Sequence, residues 1–283
     1  MQKTVAALGT FDGVHIGHRK VLLSAASYAD LTPICISFKN TPKNALGIKT
    51  PLLLTDEQRT EKIKELGFKE VVLLDFNSVR NLSPTDFLKT ITEKYNIGAI
   101  CCGFNYHFGV GGMGNTELLK EYCEQNEIAL TVADKVEIKG VTVSSTEIRR
   151  LIMGGEIPSA NEMLGYPYFI EGNIVHGFKR GRTLGFPTIN QDIANELCCP
   201  KFGVYRSEVT VEGNKYKGLT NVGNNPTFEL PTAKAETYIH EFSGEIYGKF
   251  AKVELIDFVR GEIKFESAEH LKKQINQDLK VII

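Results

Sequence analysis

This chain is short of most features that announce a function at once. Its 33 lysines and arginines nearly balance 34 aspartates and glutamates, a net charge of −1 over 283 residues. No global field therefore draws it to nucleic acid or to an anionic membrane. No apolar run approaches the ~18 residues of a membrane helix. The opening MQKTVAALG is too short and too soon interrupted to read as a signal peptide. There is no low-complexity segment and no internal repeat. The six cysteines include adjacent pairs, Cys101–Cys102 and Cys198–Cys199, but no CxxC spacing. That spacing argues against a zinc site, and a disulfide framework belongs to much smaller chains. Buried thiols in a reducing cytoplasm are the plain reading. No GxxxxGK[ST] phosphate loop occurs either. A cytoplasmic globular protein is expected, with neither membrane nor nucleic acid as partner.

What is present falls into two rhythms, each half being long enough to bury its own core. VAAL, PICISF, EVVLLDF, GAICCG and IALTVA are short continuous apolar runs, as in strands buried on both faces. Helical patterns lie between them. Thr55 and Gln58 predict a capping box, and Ser83 with Pro84 predicts a cap and an N1 proline. Strand–helix alternation predicts an α/β domain with ligands beyond the carboxyl ends of its strands. After Leu164 the period changes. YRSEVTVEG puts Tyr205, Ser207, Val209 and Val211 on one face, the signature of a half-buried antiparallel strand. AETYIHEF and FAKVELIDFVR continue the pattern. Leu271, Ile275 and Leu279 then recur at helical spacing. The second half reads as a small antiparallel β-barrel or sandwich with a terminal helix, and the boundary is placed near Gly165, giving domains 1–165 and 166–283.

GTFDGVHIGHRK, from Gly9 to Lys20, stands between the first strand and the first helix. Gly9, Gly13 and Gly17 permit tight turns and close approach of a ligand. The helix start behind them offers unpaired N–H groups and a partial positive charge, which suits phosphate. His15 and His18 alone are too few for a catalytic zinc, and no Glu stands in HExxH register. Phosphate handling, a metal site and purely structural histidines all remain open on spacing alone. A second glycine cluster, Gly109, Gly111 and Gly114, spells GxGxxG. NYHF separates it from the preceding strand, so the dinucleotide-dehydrogenase fingerprint is formal only.

The Gly9–Lys20 stretch resembles the HxGH signature of nucleotidyltransferases, in the GxFDGxHxGH form typical of bacterial bifunctional riboflavin kinase/FAD synthetases. VSSTEIRR is similar to that family's ISSTxIR, with Val143 at the usual Ile. GFNYHFGVGGMG resembles its GxDFxFG loop, with Asn105 where many members have Asp and His107 at a variable position. VHGFKRGRTLGFPTIN resembles the riboflavin kinase GFPTxN signature, and NVGNNPTF, AETYIHEFSGEIYGKF and FVRGEIKFES follow in the family's order. FKNTPKN departs from a more usual PHP-containing stretch.

The resemblance implies an α/β nucleotidyltransferase domain followed by a riboflavin kinase barrel. It implies an enzyme that phosphorylates riboflavin to FMN with ATP, then joins FMN to AMP from a second ATP, giving FAD and diphosphate. In the first domain it assigns His15, His18 and Arg149 to the phosphates. Gly9, Phe11, Asp12, Gly13, Gly17, Gly103, Asn105, Ser144, Ser145 and Thr146 would line that nucleotide site. Ser144 and Glu147 also read as a capping box that puts Ser145 and Thr146 at a helix start. In the second domain Glu236 would be the catalytic base, on one strand face with Tyr238 and His240. Thr188 and Asn190 offer hard oxygens to Mg²⁺ arriving with ATP. Gly177, Gly181, Arg182, Gly185 and Pro187 would wrap the phosphates. A member with one degenerate site and a non-catalytic flavin-binding protein are the alternatives.

Overall fold

The capped helices of the first half leave its apolar runs one way to hide, side by side beneath them. The computed structural model describes residues 2–39, 41–175, 186–224 and 233–282. In it β1 (Thr4–Leu8), β2 (Thr32–Lys39), β3 (Glu70–Asp75), β4 (Ile97–Gly103) and β5 (Ala129–Ala133) pair in parallel, in the order β3-β2-β1-β4-β5. Between them run α1 (Ile16–Ala26), the short α2 (Pro42–Ala45), α3 (Asp56–Lys64), the short α4 (Phe76–Val79), α5 (Pro84–Tyr95) and α6 (Thr116–Gln125), and a small antiparallel pair, β6 (Glu137–Ile138) and β7 (Val141–Thr142), follows β5. Both expected starts are built. Thr55 and Gln58 exchange side-chain and backbone bonds at the head of α3, and Ser83 caps α5 with proline in its first turn. Continuous burial holds for the inner strands, whereas the edge strands β3 and β5 are partly exposed.

This strand order has a functional consequence. The chain winds outward from β1 in one direction through β2 and β3, and in the other through β4 and β5. The crevice beyond β1 and β4 is thus the switch point at which such sheets bind ligands. Gly9 follows β1 there, and Gly103 ends β4.

The second half closes on itself. Strands β8 (Phe169–Asn173), β9 (Thr188–Asp192), β10 (Gly203–Val211), β11 (Asn214–Asn224), β12 (Ala233–Ile239) and β13 (Phe250–Arg260) form one antiparallel sheet ordered β8-β13-β10-β11-β12-β9. Its two ends meet where the Val175 amide donates to the Asn190 carbonyl at 2.8 Å, which makes the sheet a near-barrel. Tyr205, Ser207, Val209 and Val211 all point into its core. So does a chain of hydroxyls, Ser207–Thr220–Thr237, linked at 2.8 and 2.9 Å. The last helix, Ala268–Asp278, lays Ile275 against a cluster of Val204, Leu219, Leu279 and Ile282, with Phe186 and Tyr238 packed on it.

The compact units divide as Met1–Ser145 and Thr146–Ile283, while the strand rhythm changes only near Gly165. Between these points lie α7 (Ser145–Gly154) and α8 (Ile157–Leu164). Backbone and side-chain bonds tie both helices to the second unit: Lys201 N–H donates to Ile152 O at 3.2 Å, and the Asn161 amide donates to Leu255 O at 2.9 Å. Periodicity marks where the strand pattern starts, and compaction marks which core the helices join.

Candidate active sites

The first site grows out of a strained turn. Phe11 and Val14 both hold left-handed backbone, at φ 49° and 37°, and Gly13 does so at 86°. For a β-branched valine this conformation persists only when its surroundings over-determine it. The surroundings here are specific. Buried Asp12 accepts the amides of Leu53 and Leu54 at 2.9 and 3.4 Å, and its carbonyl takes the Ser145 hydroxyl at 2.8 Å. A Cβ on Gly9 would strike the Phe11 ring at 2.9 Å, and one on Gly17 would press on the His15 ring at 3.3 Å.

The turn delivers two histidines in fixed roles. His15, 5 % exposed, is the N-cap of α1, and its Nδ1 accepts the His18 amide at 3.2 Å. With Nδ1 committed as an acceptor, the neutral ring carries its proton on Nε2 and presents a donor. The His18 ring stacks on His15 with centroids 3.5 Å apart, and the Phe11 ring meets its edge. Burial, then His15, then Arg59 hold the His18 pKa well below its ordinary value of 6.5. His18 is therefore a neutral ring at neutral pH. Its Nδ1 is buried, with no hydrogen-bond partner among the described residues.

Gly103 lies close to Val21 of α1 and to the Asn105 side chain, so the end of β4 adjoins the same helix. Asn105 is exposed, and His107 turns back so that its Nδ1 lies 3.0 Å from the Asn105 carbonyl. The glycines of the GxGxxG stretch serve packing: a Cβ on Gly109 would strike the Pro84 backbone at 2.7 Å, and one on Gly114 the Phe108 ring at 2.6 Å. The Val143 carbonyl adjoins Gly17, and Ser144 and Ser145 follow it to the head of α7. Thr146 and Arg149 stand on α7 within the second unit, Thr146 exposed and Arg149 only 9 % so. Glu147 takes the guanidinium of Arg150 at 2.8–3.0 Å.

The second site is set by register. Glu236 pairs with Asn190 and Tyr238 with Thr188 across β12 and β9. Directly paired residues share a sheet face, so Thr188, Asn190, Glu236 and Tyr238 form one patch. Ala235, Thr237 and Ile239 face the core instead. Asn221, opposite Glu236 on β11, joins the same face. Glu236 is exposed, and Asn190 is 5 % exposed. Pro187 is exposed just ahead of β9, while Gly177, Gly181, Arg182 and Gly185 lie outside the described residues. A hydroxyl and an amide oxygen two positions apart on one face are hard donors that fit a divalent cation arriving with phosphate. Among the described residues no group of three or more His, Cys, Asp or Glu side chains could hold a metal.

Two residues of these sites escaped the sequence reading. Asn221 looks like a turn residue in GLTNVGNNP until β11 is paired. Arg59 looks like a solvated helical charge, yet it sits four residues before buried Ile63 on the inner face of α3. That i, i+4 spacing was its available signal.

Comparison with known proteins decides the family. The model of the FAD synthetase family matches residues 1–147, and that of the riboflavin kinase family matches 164–283. A bifunctional riboflavin kinase/FMN adenylyltransferase from Bacillus subtilis is 35 % identical over 98 % of this chain and 90 % of its own length. One from Listeria monocytogenes is 36 % identical over 97 % and 90 %. The chain belongs to the bifunctional riboflavin kinase/FMN adenylyltransferase family. It is an enzyme with a kinase domain and an adenylyltransferase domain. A crystal structure from Streptococcus pneumoniae, described as a macrolide-efflux protein, superposes with a TM-score of 0.91 at 33 % identity over 99 % of this chain and 94 % of that one. That likeness carries the fold. Among the described residues no helix is long and apolar enough to cross a membrane.

Proposed function

We propose that the kinase domain, 166–283, phosphorylates riboflavin with Glu236 as general base and Thr188 and Asn190 as the oxygen donors beside ATP. The observation that carries this reading is the β9–β12 register, which sets Glu236 directly opposite Asn190. An exposed carboxylate on a rigid strand can accept the proton of a substrate hydroxyl as it attacks the γ-phosphorus of ATP, and ADP then leaves. Mg²⁺, the metal proposed here, supplies neutralising charge on the ATP phosphates when bound. Gly177, Gly181, Arg182, Gly185 and Pro187 are assigned to the phosphate wrap beside it.

The domain at 1–165 is assigned the second transfer, in which the FMN phosphate attacks the α-phosphorus of another ATP and diphosphate departs. The donor Nε2 of His15 and the neutral ring of His18 stabilise developing charge, since such transfers need positioning and electrostatics more than covalent help. Arg149 is assigned to the same phosphates by its place in VSSTEIRR. Gly9, Gly13, Gly17, Gly103, Asn105, Ser144, Ser145 and Thr146 complete the nucleotide site, with Phe11 and Asp12 shaping its turn. Cytoplasm is the assigned compartment, and riboflavin, FMN and ATP are the partners.

Steady-state kinetics of Glu236→Gln test the base. Riboflavin phosphorylation should fall by ~10²–10⁴, with FMN adenylylation nearly native. Retention of more than about a third of the kinase rate would remove Glu236 from that role.

A further inference from the structure

Arg59 is 2 % exposed, and its guanidinium reaches three partners that the sequence keeps far apart. Nη1 donates to Thr10 O at 2.9 Å, and Nη2 donates to Phe38 O at 2.6 Å and to the Asp56 carboxylate at 2.7 Å. Thr10 stands two residues past β1, and Phe38 is the penultimate residue of β2. An ordinary i, i+3 ion pair would need only Asp56. The two carbonyl contacts instead tie α3 to the carboxyl ends of both strands. Thr10 O also accepts the hydroxyl of fully buried Ser37 at 3.0 Å. The residue after Thr10 is Phe11, the first of the left-handed positions that lead into His15.

We propose that Arg59 is a positioning residue for adenylyl transfer, clamping the strained turn after β1 so that His15 and His18 keep their stations. The inference rests on the reading of that turn as the triphosphate site. Asp12 braces the far side of the turn through Leu53 and Leu54, immediately before the Thr55 cap of α3. Residues 10–12 are thus held at two points by the segment from 53 to 59. A fork of fixed geometry can meet two carbonyls and a carboxylate together, while a lysine ammonium is a single point donor. Displacement of about 1 Å at a reacting centre can cost ~10²-fold in rate.

Three variants and one control of the full chain, assayed for both activities, test this. Arg59→Lys should lower kcat for FMN adenylylation by ~10–100-fold, with KM for ATP changed by less than about threefold and riboflavin phosphorylation unaltered. Ser37→Ala should shift kcat in the same direction by less. Asp56→Asn, whose amide oxygen still accepts from Nη2, should stay within about threefold of native. A merely structural role would lower the melting temperature and leave the rate per folded molecule alone. Folded Arg59→Lys with native kcat, or a deficit that vanishes on cooling below its transition, overturns the proposal. If Arg59→Lys does not fold, Ser37→Ala decides: lowered kcat at constant KM supports the clamp, and native kcat overturns it. His18→Ala separates the two readings. Retained adenylylation there would refute the triphosphate assignment, whereas loss there with native Arg59→Lys would refute only the clamp.

Discussion

Removing the Arg260 guanidinium should loosen the terminal helix and take the kinase with it. Arg260 ends β13 and donates to both oxygens of Asp278 at 2.7–3.1 Å, and Gln274 adds an amide at 2.8 Å. Asp278 is 4 % exposed. In Arg260→Met the carboxylate stays buried with the Gln274 amide and without its counter-charge. Breaking a buried pair from one side costs ~3–5 kcal/mol. The Arg260 side chain is itself 18 % exposed, so the lower figure, ~3 kcal/mol, is appropriate. For a unit of about 140 residues, ~3–4 °C is lost per kcal/mol, a fall of ~10 °C in the melting temperature of the second unit. The helix carries Ile275, followed by Leu279 and Ile282, into the cluster holding Phe186 and Tyr238, neighbours of Thr188 and Glu236. Kinase activity should therefore fail on warming, at the same midpoint as the melt of the second unit. Circular dichroism melts read alongside both activities give the answer. Arg260→Met/Asp278→Leu should recover most of the loss, because no buried charge remains. A shift under about 2 °C, or a double variant no better than the single, would refute the reasoning.

Metal and pH give two further tests. Protein dialysed against EDTA should stay folded, lose both activities and regain them with Mg²⁺, since a weakly held divalent ion arrives with ATP; tightly bound zinc in elemental analysis would contradict this. His18 has a folded pKa below its ordinary 6.5, so the unfolded chain binds the proton more readily. Its contribution to stability is complete above 6.5 and is lost as pH falls through that value toward the folded pKa. The urea midpoint of the first unit should drop between pH 7 and 5, and less so in His18→Asn. A midpoint that rises on acidification would reverse the sign of this argument.

Much of the molecule was legible because it rests on local rules. Alternation in YRSEVTVEG gave the inward face of β10, and the Thr55–Gln58 and Ser83–Pro84 signals gave two helix starts. The GTFDGVHIGHRK stretch was legible as a tight turn running into a helix, because glycines and a helix start can be read without a partner. What stayed hidden depends on partners distant in sequence. That Leu53 and Leu54 donate to the Asp12 carboxylate, and that Arg59 reaches Thr10 and Phe38, shows only once the chain is folded. The Ser207–Thr220–Thr237 chain likewise needs three strands in register. Continuous burial was overread at β3 and β5 because an apolar run does not say which strand lies at an edge.

Two separate sites on one chain, each with its own residues, are tested most directly by separating the flavins formed by native protein, Glu236→Gln and His18→Ala. Each would receive ATP and Mg²⁺ with either riboflavin or FMN. Native protein should convert both flavins to FAD. Glu236→Gln should leave riboflavin untouched yet still make FAD from FMN. His18→Ala should carry riboflavin to FMN and stop there. Loss of both steps in either folded variant, or FAD formed from riboflavin by both, would contradict the division of labour drawn from these two sites.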